Sequence, residues 1–135
     1  MRRLAFLALF MLGMFGASPA LAQNAEIEAT IGAQLDAFRA DDVARAFSYA
    51  SPTIQELFGT PQNFGRMVRG GYPMVWRPGA VAYLDLIDRG RARLQRVQIT
   101  DADGIVHLLE YQMVPLADDW KINGVRILQS ARPAV

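Results

Sequence analysis

The chain has 135 residues, with 14 Lys and Arg against 13 Asp and Glu, one histidine and no cysteine. This excludes a disulfide framework and a cysteine-based zinc site, and the near-zero charge offers no basic face for nucleic acid. Cysteine being absent, there is also no site for lipid modification behind an export signal.

Residues 1–22 read as a cleaved secretory signal peptide. Arg2 and Arg3 precede an apolar run from Leu4 to Phe15, Ser18-Pro19 breaks any helix, and Ala20-Leu21-Ala22 has the small-x-small form of a cleavage site. The run is too short to span a membrane, which takes roughly 20 apolar residues. Cleavage near Ala22 leaves residues 23–135 as one α+β domain with no stable membrane insertion. Its 12 basic and 13 acidic residues give a net charge of −1. A periplasmic or secreted location follows as an expectation.

The spacing is helical before residue 79 and strand-like after it. Ile27, Ile31, Leu35 and Phe38 share one face of a helix predicted from about Ala25 to Arg39. Asp41 or Asp42 caps a second helix, with Val43, Ala46 and Phe47 inward. Ser51-Pro52 starts a third that buries Ile54, Leu57 and Phe58 and stops at Gly59. Thr60-Pro61 starts a fourth, with Phe64, Met67 and Val68 inward. Gly70-Gly71 is expected to end it. Pro73 and Pro78 then make an extended crossing, with Tyr72, Met74, Val75 and Trp76 closing one end of the domain.

The second half reads as a four-stranded antiparallel meander. Strands are predicted at Val81–Leu86, Arg93–Thr100, Ile105–Val114 and Trp120–Gln129, with turns around Asp88-Arg89-Gly90, Asp101–Gly104 and Ala117–Asp119. Ile105, His107, Leu109, Tyr111 and Met113 alternate onto the helical face, matched by Val97 and Ile99. Val106, Leu108, Glu110, Gln112 and Val114 take the other face, with Arg96 and Gln98. A bulge at Asn123-Gly124 lets Trp120, Ile122, Val125 and Ile127 all face inward and implies a strongly curved sheet.

"QLDAFRADDVARAFSYASP" (34–52) and "ITDADGIVHLLEYQMVPLADDWKINGVRIL" (99–128) resemble the opening and closing stretches of the nuclear-transport-factor-two-like superfamily. "FGRMVRGGYPMVWRP" (64–78) is similar to an exported or membrane-tethered bacterial family within it, named only as a domain of unknown function. The resemblance implies a cone of helices wrapped by a bent sheet. It also implies acid–base residues on the concave face where members are enzymes, and pairing through the open sheet face where members dimerise. It carries no activity of its own.

His107 and Tyr111, two apart on one strand face, are the candidate acid–base pair of an isomerase- or dehydratase-type enzyme. The competing assignment ties His107 to a turn. The carboxylates Asp85 and Glu110 show no partner in sequence, and Glu110 points away from His107. Asp101 and Asp103 lack the later ligands of a calcium loop and read as turn residues. No metal or cofactor site is read from the sequence. Tyr72, Trp76, Tyr83 and Tyr111 are the candidate lining of a pocket for a small apolar or aromatic ligand. Arg66, Arg69 and Arg77 form either an anion site or a solvated face. The reading that results is an exported domain that binds a small molecule or a protein, with an enzyme and a sheet-face homodimer as alternatives.

Overall fold

A computed structural model describes residues 19–132. The segment assigned to the signal lies outside the described residues up to position 18, and Ala20-Leu21-Ala22 lies within α1 (Pro19–Arg39). Among the described residues helix thus already covers 19–24, ahead of the predicted start at Ala25.

Ile27, Ile31, Leu35 and Phe38 of α1 are fully buried, as their spacing requires. α2 (Val43–Ser48) is capped by Asp42, whose carboxylate accepts from Arg45 N at 3.1 Å. α3 (Pro52–Phe58) and α4 (Pro61–Gly71) are capped by Ser51 and Thr60, each with proline next. Gly59 ends α3 at φ 76°, a conformation glycine adopts without penalty. Gly70 and Gly71, in contrast, stay helical, and Tyr72 is the cap, its N–H bonded to Val68 O. The chain then enters a fifth helical turn, α5 (Pro73–Trp76), in place of the predicted extended crossing. Pro73 again takes a first helical position, and Met74 and Val75 are buried beneath.

The sheet is antiparallel and open, in the order β1 (Val81–Arg89), β2 (Ala92–Thr100), β3 (Val106–Leu116), β4 (Asp119–Ala131). The protein is therefore α+β, with helices first and a four-stranded meander after them. Val97, Ile99, Leu109, Tyr111, Met113, Trp120 and Ile122 form one core with the helices. Phe64 joins its aromatic part, with ring centroids 5.9 Å from Phe38, 5.3 Å from Phe47 and 5.7 Å from Phe58.

Three register irregularities shape the sheet. In β4, Asn123 is the extra residue between the pairs Gln112–Gly124 and Met113–Ile122, as the sequence predicts. Asn123 Oδ1 accepts from Ser51 Oγ at 2.7 Å, and Ser51 N bonds Ile122 O, so the bulge docks the α2–α3 link on β4. A second extra residue, Leu128, is not evident from the sequence. In β1, Leu84 and Asp85 together oppose Arg96. The buried Gln95 amide donates to both of their carbonyls, so the bulge leaves no stranded acceptor there.

Two burial expectations fail. Ile127 pairs with inward Leu109 yet is 38% exposed; it sits on the edge strand β4, whose second half is exposed at most positions. Leu57 is 70% exposed. Ile54 and Phe58, one turn apart, take the inward face of the short α3, and Leu57 is left at the rim of a hollow.

Candidate functional site

The hollow lies between the helices and β4. It is lined from α1 by Gln34 and Phe38, from α3 by Ile54, Leu57 and Phe58, from α4 by Phe64, Met67 and Val68, and beyond these by Tyr72, Val75, Ile122 and Val125. Its volume is about 200 Å³. An apolar cavity of about 150 Å³ already suffices for benzene, whereas drug-sized sites start at about 300 Å³. The space suits a compact apolar molecule.

Local sequence explains why space remains. α3 has only seven residues and ends at Gly59, so its apolar face offers one full turn. The neighbouring link is held to β4 by the backbone of Ala50 and Ser51, which fixes α3 without filling beneath it.

Of the four aromatic candidates, only Tyr72 borders this cavity. Its hydroxyl donates to Val125 O at 2.9 Å, so the ring forms a fixed wall. Trp76 lies elsewhere. It packs on Phe38 at 5.6 Å and is covered by the Arg77 guanidinium at 4.9 Å and that of Arg69 at 6.0 Å. It borders a shallow groove with Val43, Gly65, Arg66 and Arg69. Tyr83 donates to Glu28 O at 3.1 Å, fastening β1 to α1, and burial raises its phenol above the ordinary range. Tyr111 is fully buried, and its Oη has no hydrogen-bond partner. Burial, with Tyr83 and Tyr72 nearby, pushes that phenol strongly upward, so it keeps its proton at neutral pH.

The structure does not join His107 to Tyr111. His107 Nε2 lies 2.8 Å from Asp101 Oδ2, and Nδ1 lies 2.7 Å from Ser130 Oγ. Asp101 Oδ1 accepts from Asp103 N and Ile105 N at 3.0 Å each, and the His107 hydrogen bond holds the carboxyl below the usual range. An ionised Asp101 places a proton on Nε2, and in the neutral imidazole Nδ1 then accepts from the Ser130 hydroxyl. This row ties the β2–β3 turn to the end of β4. It has the order of a nucleophilic triad, but Ser130 lines neither hollow, and a triad needs a cleft and oxyanion donors over its hydroxyl. The assignment of His107 to a turn is the one the geometry supports.

Sequence reasoning missed Ser130 because of register. A β4 without irregularity would pair His107 with Leu128, and the Asn123 bulge alone would pair it with Gln129. The second bulge brings in Ser130. Asp101 was identifiable as a turn residue, not as a histidine partner.

The remaining charges are mostly engaged. Arg77 donates to Phe38 O and pairs with Asp41, while Arg66 donates to Asn63 Oδ1 at 2.6 Å. The three arginines therefore share no single anion site. Asp85, Arg96, Glu110 and Arg126 form a row across the outer sheet face, from Arg96–Asp85 at 3.9 Å to Arg126–Glu110 at 2.7 Å. Asp85 and Glu110, unpartnered in sequence, gain partners here. Among the described residues no group of three or more His, Asp or Glu is placed to hold a metal, and no helix is long and apolar enough to cross a membrane.

With this geometry in place, comparison with known families is decisive on one point. The family model described as Domain of unknown function (DUF4864) matches residues 20–135. The chain belongs to that family. No curated protein matches it. The DUF4864 assignment spans every element from α1 to β4 and brings no activity with it, so the functional argument rests on the cavity.

Proposed function

We propose that this DUF4864 domain is an exported binding protein that takes a compact apolar molecule into the cavity beneath α3. The observation that carries the reading is the cavity itself: about 200 Å³, walled almost entirely by apolar side chains, with Leu57 exposed at its rim. Burial of apolar surface supplies the affinity, at roughly 25 cal/mol per Å². Export rests on the arginine-led apolar run and the Ala20-Leu21-Ala22 motif. The helices-then-meander order and the bulges in β1 and β4 favour the bent sheet of a nuclear-transport-factor-two-like cone. Titration of the isotope-labelled domain with benzene tests the reading. Saturable shifts at the Val68, Tyr72 and Val125 amides are expected, and Ile54→Phe should abolish them. No saturable shift up to the solubility of benzene rejects it.

A second reading is a homodimer through the outer sheet face, and one observation favours it. The row Asp85, Arg96, Glu110, Arg126 alternates in sign from β1 to β4. Turning a copy about an axis parallel to the strands lays β1 over β4 and β2 over β3. Asp85 then meets Arg126, and Arg96 meets Glu110. The perpendicular axis would set like charges together, which costs energy. Ile87, Leu94 and Leu108 flank the row as half-buried apolar surface. Light scattering should give a dimer mass at micromolar concentration that falls to a monomer in Glu110→Lys; a monomer in the unaltered protein rejects it.

A further inference from the structure

The cavity contains one built polar feature, and it specifies the ligand more closely than shape does. Gln34 lines the cavity and is only 2% exposed. Its Nε2 donates to Ala46 O at 3.1 Å. A backbone carbonyl can only accept, so this bond fixes which end of the amide is nitrogen and leaves Oε1 facing away from it. Oε1 accepts no hydrogen bond among the described residues. Tyr111 Oη is the only described side-chain atom both sealed and unpaired, so Gln34 Oε1 keeps a sliver of accessible surface. The other polar side chain on the wall, the Tyr72 hydroxyl, is already spent on Val125 O. Among the described side chains that line the cavity, Gln34 is therefore the one with an unused acceptor.

We infer that Gln34 Oε1 opens on the cavity and that the site selects compact apolar molecules bearing one hydrogen-bond donor, of the phenol or small aromatic alcohol class, with the donor placed on that oxygen. This inference rests on the cavity-binding reading above. A hydroxyl buried without a partner is penalised, so a purely apolar hollow would prefer a hydrocarbon over a phenol of the same size. A buried acceptor reverses that order, because the hydrocarbon leaves it unpaired.

The experiment compares phenol with toluene, two probes of nearly equal size, by titration of the labelled domain. Phenol is expected to bind at least as tightly as toluene. Tighter binding of toluene overturns the inference while leaving the cavity a hydrocarbon site, and binding of neither overturns the cavity reading itself. Gln34→Met keeps the volume and removes the acceptor. In that variant the phenol-to-toluene affinity ratio should fall about tenfold; an unchanged ratio also overturns the inference. The comparison of probes on the unaltered protein stands even where Gln34→Met fails to fold.

Discussion

Phe38 touches two corners of the helical layer that have opposite characters. On one side it packs against Trp76, which Arg77 and Arg69 cover, and Gly65 fits closely against Val43 beside it; a Cβ at Gly65 would lie 2.7 Å from Val43 Cγ1. That corner is filled beneath the indole, with a shallow groove only outside it. On the other side it borders the hollow under α3, where Leu57 is displaced to the rim and Gln34 keeps an unused oxygen. Both corners are tied by hydrogen bonds. At the filled one Arg39 donates to Pro78 O and Gly79 O and Arg77 to Phe38 O. At the hollow one the α2–α3 link bonds β4 through its backbone and through Ser51 Oγ and Asn123, and Tyr72 bonds Val125 O. The difference lies in what covers Phe38: the Trp76 indole on one side, and on the other the seven-residue α3, whose apolar face offers one turn only.

Removing the residue common to both corners should have the largest effect. Phe38→Ala should cost about 3–5 kcal/mol, the usual range for a buried phenylalanine, read from the urea midpoint. A cost under about 1 kcal/mol would mean that the two corners do not depend on a shared core. Next in size is Gly79→Ala, at the filled corner. The added Cβ would lie 2.3 Å from Thr100 O, a backbone atom that cannot swing away as a side chain would. Gly79 N also bonds Thr100 O, so the strand entry cannot move aside without losing that bond. The expected cost is about 1–3 kcal/mol. Adding volume at the hollow corner should do the opposite. Ile54→Phe fills empty space, so its effect on the midpoint should be neutral or stabilising by up to about 1 kcal/mol, even as it removes ligand binding. Strong destabilisation would show that the corner is packed after all.

Much of this was legible in the sequence, for identifiable reasons. The face of Ile27, Ile31, Leu35 and Phe38 follows a single period over three turns, and Ser51-Pro52 and Thr60-Pro61 carry both the cap and the proline that start α3 and α4. The Asn123 bulge shows because it reconciles two apolar phases along one strand. What escaped depends on tertiary packing. Gly70-Gly71 reads as a stop, yet the burial of Val68 on one side and Met74 and Val75 on the other carries helix through it. Leu128 and the Leu84-Asp85 pair give no local sign of being extra residues, because only the partner strand defines the register. Aromatic residues are the ones that suggest a pocket in sequence, but half of the residues that wall the hollow are aliphatic, and Gln34 lies beside them. A gap is set by how far side chains fall short of one another, which no single residue announces.

The His107 corner gives the smallest and most selective test, because it is held by hydrogen bonds rather than by either kind of apolar contact. The His107 hydrogen bond comes first in lowering Asp101, and the Ile105 and Asp103 amides add to it. The folded-state pKa is thus below the unfolded value of about 3.9. A depressed carboxylate contributes stability that is fully present above the unfolded pKa and is lost as the pH falls through the folded one. Asp101→Asn removes the charge and its titration. The unaltered protein should therefore exceed the variant in stability at pH 6, and the gap should shrink as the pH drops below about 4. All other carboxylates titrate alike in both proteins and cancel from the difference. Urea midpoints of the pair at pH 6, 4 and 3 measure it. A gap that stays constant over that range would mean that Asp101 acts on the turn through shape alone and that His107 gains nothing from its charge. Phe38→Ala and Ile54→Phe leave every group in the row untouched, so their effects should not change over the same pH steps once the parent protein's own titration is subtracted. That contrast separates a corner fixed by charge from two corners fixed by packing.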